Sequence, residues 1–270
     1  MNFFERIIYS MQATMIEPTA FGWFHLLCLI ITFALIFILY KIKNKYGEKQ
    51  LKLVIGIYGI VAFILELAKQ ISWSFNYDSV TKIITWDYEW YAFPFQLCTT
   101  PIYVCLICLF LNNHKIRKSL FSYLAFTTIW GSIMTMVMPD TCLIDEILIN
   151  IHTMWLHCGS FVIAVYLLMT KEVELNIKSL KRAIVVFLIF VAIAQLLNIG
   201  IYNLNVLGDE TFDMFYISPY FETSLPVFSM FRKIFPYGIY FIVYIIVLSL
   251  GSSVIYLISS LINKKFKKNR

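Results

Sequence analysis

Cys98 and His157 are the residues of this chain whose types and positions suit covalent chemistry. A thiol becomes a nucleophile when a neighbouring base or cation stabilises its thiolate. Cys98 stands in "AFPFQLCTTP", residues 92–101, where two prolines bracket Gln96 and Cys98 at the start of an apolar run. Pro94 and Pro101 remove backbone donors and distort that approach. Irregular backbone at membrane depth persists only where protein or a wet cavity satisfies it, so Cys98 is expected to face a polar pocket. His157 belongs to the series Asn150, Thr153, His157 and Ser160, spaced i, i+3, i+7 and i+10 on one helical face. The competing reading of Cys98 is a small core residue, because buried cysteine commonly serves packing alone.

Other polar residues recur at the same depth. Glu66, Lys69, Gln70 and Trp73 follow i, i+3, i+4, i+7, and Gln195, Asn198 and Tyr202 share a face of a later run. Polar side chains inside a span normally face the bundle interior. Gln96, Lys69, Glu66, Gln70, Asn150 and Asn198 are therefore the candidate substrate-binding residues around Cys98 and His157. Glu66 and Lys69 can pair with each other. That pair either locks its helix into the bundle, recognises a phosphate, or orients His157.

Metal and redox chemistry fit less well. His152 lies five residues before His157, about 140° around a helix, so the two cannot chelate from one face. Asp140, Cys142, Asp145 and Glu146 lie close by, but no spacing matches a zinc pattern. No metal is expected, and His152 reads as an interfacial hydrogen-bonding residue. Cys105 and Cys108 form C-x-x-C within an apolar run without charged neighbours, which reads as packing. A Cys98–Cys142 disulfide is conceivable and would abolish the nucleophile.

These residues need a membrane scaffold to position them. Of the 270 residues, 60% are hydrophobic and 14% charged, against about 45–50% and about 25% in soluble domains. Apolar runs of membrane-crossing length fall at 21–41, 52–73, 94–111, 119–139, 147–170, 182–203 and 235–262, with no internal repeat. The expectation is an all-α, seven-transmembrane-helix bundle over 21–262. An amphipathic interfacial helix precedes it within 1–20, and a basic tail follows at 263–270. Lys and Arg number five, three, four and five in the first, third and fifth loops and the tail. The other side has only Arg6, Lys82, Arg232 and Lys233. The positive-inside rule puts the N-terminus outside and the C-terminus in the cytoplasm. The basic residues form no continuous face, which argues against nucleic acid. The N-terminus lacks the apolar core of a cleaved signal peptide. The last run has no lysine for a retinal Schiff base.

"PFQLCTTPIYV", followed about sixty residues later by "HTMWLHCGSF", resembles the YwaF-type integral membrane proteins of bacteria and their animal relative, transmembrane protein 164. The resemblance covers roughly 20–260. It implies a cysteine-dependent acyltransferase moving a fatty acyl chain between phospholipids, with Cys98 as nucleophile and His157 as base. Phospholipid and lysolipid would be its partners in a bacterial plasma membrane, and no cofactor is expected. Gln96 stands where the family often has His, and "NIGIYNLN" matches its Asn-rich turn loosely. A transporter, or a sensor that binds lipid without chemistry, are the alternative readings.

Overall fold

The computed structural model describes all residues except 1, 44, 46, 79, 140, 141, 269 and 270. It is an all-helical bundle. A short amphipathic helix α1 (Phe3–Met11) is capped by Asn2, whose side chain accepts from Glu5 N while Glu5 reaches back to Asn2 N. The two bonds satisfy orphan donors of the first turn. Then come α2 (Trp23–Ile42) and α3 (Gly47–Ser74), followed by an unforeseen two-stranded antiparallel hairpin. It pairs β1 (Phe75–Tyr77) with β2 (Ile84–Trp86), with Asn76 opposite Thr85. Next are α4 (Thr100–Phe110), α5 (His114–Tyr123), a π-helical turn at Leu124–Thr128 and α6 (Ile129–Val137). The last three form one continuous rod. α7 (Ile147–Met169), α8 (Ile177–Asn203), a short α9 (Pro226–Ile234) and a long α10 (Tyr237–Lys268) complete the chain. α10 thus extends into the segment expected to be a tail.

Among the described residues six helices are long and apolar enough to cross a membrane, and α4, with eleven residues, is shorter. At about 1.5 Å per residue it covers roughly half of a bilayer's hydrocarbon. The expected third run, 94–111, is therefore helical only from Thr100. Residues 94–99 are irregular, and side chains satisfy their carbonyls. Tyr103 Oη donates to Pro94 O, Thr99 Oγ1 to Gln96 O and Thr100 Oγ1 to Leu97 O. Pro101 falls in the first turn of α4, where a missing N–H costs little.

α3 and α4 approach closely because Gly59 faces Cys105: a Cβ added there would lie 3.1 Å from that of Cys105. Small residues permit such contact between membrane helices. Cys105 and Cys108 are 0% and 1% exposed, in keeping with a packing role. α7 is central, touching α2, α3, α6 and the π-turn. Gly159 lets the Tyr58 ring lie against α7, and Tyr58 Oη meets Ser160 Oγ at 2.6 Å.

The bundle has two distinct ends. At one, Gln12 Nε2 donates to Ser72 O and Phe75 O, Trp73 Nε1 to Glu146, and Trp90 N to Glu210. At the other, Arg117 pairs with Glu48 and Lys118 with Glu174. Glu66, Cys98 and His152 lie towards the α1 end.

Candidate functional site

The site centres on Glu66, a carboxylate buried in the last third of α3. Its Oε1 accepts from Lys69 Nζ at 2.7 Å and from Gln70 Nε2 at 3.0 Å. Its Oε2 meets His152 Nε2 of α7 at 2.7 Å. Burying one carboxylate is expensive unless it is paired and hydrogen-bonded, and three partners meet that need here. Helical spacing places Lys69 and Gln70 beside Glu66 on one helix, and α3·α7 packing brings His152. With Nε2 engaged by Glu66, Nδ1 is the ring nitrogen of His152 that remains for another partner.

Cys98 is half-buried in the turn that leads into α4 and carries a thiol, not a disulfide. The Cys98–Cys142 bridge is therefore not formed, although Cys142 lies within electrostatic range. Lys69 and Glu66 also lie within electrostatic range of Cys98, and their charges oppose each other there. The turn also sets it just before the N-terminus of α4, the positive end of that helix's dipole. Tyr91 and Tyr216 lie within electrostatic range of it. Tyr91 is 47% exposed and marks the open side.

His157 occupies another sector of α7. Its ring interacts with the backbone of Gly131 on α6, and no hydrogen bond between described residues joins it to Cys98. The α7 stripe likewise divides, with Asn150 serving a loop and Ser160 serving Tyr58, while His152, off the stripe, serves Glu66. His152 is the residue that the sequence reading set aside. The signal that could have found it is the buried carboxylate on α3, which needed a partner from a second helix.

The amides expected to bind substrate are engaged by the protein's own backbone. Gln96 Nε2 donates to Asp213 O, and Gln96 Oε1 accepts from Phe215 N. Asn198 bonds both N–H and C=O of Met214. Asn150 does the same to Ile144. Gln70 donates also to Ala92 O and accepts from Tyr88 Oη. Each fixes backbone outside the long helices. The clamped segment at 213–216 has two successive non-glycine residues at positive φ, Phe215 (60°) and Tyr216 (61°). Such strain persists only where the surroundings impose it, and it gathers at functional sites. Gln96, Asn198 and the Tyr240 hydroxyl, which donates to Tyr216 O, impose it here.

Asp213, in the same loop, accepts from Ser218 N through Oδ1, while Oδ2 is buried without a hydrogen bond. Burial pushes its carboxyl up to about 7, against the opposing pulls of the Ser218 N–H and Arg232. An unfolded carboxyl titrates near 4, so the folded state binds this proton more tightly. Asp213 thus lowers stability as pH rises from about 4 to about 7, with its full cost above that window. Thermal unfolding in detergent between pH 5 and 8.5 is expected to show this decline. Asp213→Asn should remove that component and melt higher than the wild type at pH 8. Equal pH dependence in both proteins would contradict it.

Among the described residues no group of three or more metal-ligating side chains comes together. Asp140 lies outside the described residues.

Neither a curated protein nor a solved structure matches the chain. A family model does, over residues 20–256, a stretch that contains Glu66, Cys98, His152 and His157. The chain is therefore a membrane protein of the TMEM164 family.

Proposed function

We propose that the protein transfers an acyl chain between phospholipids, with Cys98 as nucleophile. The observation that carries this reading is a thiol within electrostatic range of the buried Lys69–Glu66 pair, whose carboxylate also holds His152. Glu66 orients the imidazole, the arrangement by which a base is held for a nucleophile. Lys69 and the α4 N-terminus favour a thiolate. His152 takes the thiol proton through Nδ1. The sulfur attacks the ester carbonyl of a phospholipid, and the ester C–O bond breaks. The released lysolipid alkoxide takes the proton from His152. A hydroxyl of a second lysolipid then attacks the thioester, losing its proton to His152, and the thiol is regenerated. No oxidant or cofactor enters this balance. Lys69 is suited to a lipid phosphate, while Gln96, Gln70, Asn150 and Asn198 position the loops around it.

The same reading treats α4 with residues 94–99 as a third crossing. It counts seven spans, with the N-terminus outside and the C-terminus cytoplasmic. Loop charge supports this, and it sets the site in the outer half of a bacterial plasma membrane.

The base is tested by comparing His152→Gln with His157→Gln in purified protein supplied with labelled phospholipid and a lysolipid acceptor. His152→Gln is expected to lose at least about 10²-fold in transfer, the usual scale for a general base. His157→Gln should stay within a few-fold. The reverse ranking would return the role to His157. Tight lipid co-purification with no thioester on Cys98 would instead favour a lipid sensor.

A further inference from the structure

Resting on that reading, we infer that the cleft between α1 and α7 holds one acyl chain of a phospholipid whose phosphate sits on Arg6. α1 precedes the family-matched residues, so nothing in the match accounts for it. It is anchored by Ile8, which is fully buried. Backbone bonds also tie the following segment to the start of α7: Met15 N to Asp145 O at 2.7 Å and Ile147 N to Ala13 O at 3.1 Å. Between helix and bundle lies a cleft of about 600 Å³ lined mainly by apolar side chains, among them Ile7, Ala13, Leu148 and Ile151. That volume falls within the roughly 300–1,000 Å³ of small-molecule sites.

Two features select the occupant. Both walls continue into surface suited to lipid, since Phe3 is 81% and Ile151 44% exposed. The cleft's one charged lining residue is Arg6, whose guanidinium makes no ion pair among the described residues. An apolar tail joined to an anionic group satisfies both, and a guanidinium matches the geometry of phosphate. Ile151 adjoins His152, so a chain lying in the cleft follows α7 to the turn that presents His152 to Glu66. α1 would thus lead lipid towards the thiol from the membrane surface.

The test is photolabelling of the full chain in phosphatidylglycerol vesicles containing a phospholipid with a photoactivatable acyl chain. The labelled peptides are then identified by mass spectrometry. Label is expected on residues 3–13 and 147–151. Arg6→Gln should lower that labelling about fivefold, the effect of one interfacial cation. Ala13→Phe, which fills the cleft, should lower it at least as far. Equal labelling in all three proteins, or equal label on the remote lipid-facing side of α10, would overturn the inference. So would equally Arg6-dependent labelling by a photoactivatable fatty acid, which would identify a free carboxylate as the ligand. Labelling needs no catalysis, so Cys98→Ala protein separates the two readings. Label without transfer would preserve the cleft, and transfer by unlabelled wild type would remove the cleft alone.

Discussion

Cys98→Ala is expected to abolish acyl transfer, by roughly 10³-fold or more, the scale seen when a covalent nucleophile is removed. The other thiols near the bundle core cannot replace it. Cys105 and Cys108 are sealed between α3 and α4, and Cys158 packs with Met136, Leu143 and Met154. Cys98→Ser should behave like alanine, because a hydroxyl is a far weaker nucleophile than a thiol unless a base deprotonates it. Neither change should alter folding much, since the Cys98 side chain is small and half-buried. The measurements are label transfer from phospholipid to lysolipid, and a hydroxylamine-sensitive acyl adduct on the Cys98 peptide. Unchanged transfer by a well-folded Cys98→Ala protein would sink the covalent mechanism.

The helices were legible because a run of apolar residues long enough to cross a bilayer has few alternatives. α2, α3, α7 and α8 lie within a few residues of the expected runs, except that α3 and α8 each begin five residues earlier. The third run misleads because apolarity extends to residue 94, while two prolines and local side-chain bonds stop the helix at Thr100. On α3 a single polar stripe was readable: Glu66, Lys69, Gln70 and Trp73 do act together on one face. On α7 the same logic fails. A helix packed on several sides has no single inward face, so Asn150, His157 and Ser160 serve different neighbours. Gln96 and Asn198 were recognisable as inward-facing. Their partners were not, because the backbone of residues 213–215 that they clamp is more than a hundred residues from Gln96. Spacing within a helix cannot report such a contact.

Glu66→Gln is the substitution expected to damage the fold most. It removes the negative charge that compensates Lys69, an ammonium at a position only 8% exposed. Breaking a buried ion pair from one side costs about 3–5 kcal/mol, whereas replacing both partners by neutral groups is often close to neutral. Glu66→Gln should therefore lower the thermal midpoint in detergent markedly. Adding Lys69→Met should restore most of the loss, since no lone charge is then left buried. Transfer should not return with stability. The double variant lacks both the carboxylate that orients His152 and the cation beside Cys98. A single variant as stable as wild type would show that the network carries no structural weight. A double variant that is stable and active would show that Glu66 and Lys69 serve packing alone. Stability and activity thus separate at one carboxylate, because its two oxygens face different partners: Oε1 holds α3's own Lys69 and Gln70, and Oε2 holds the imidazole of α7.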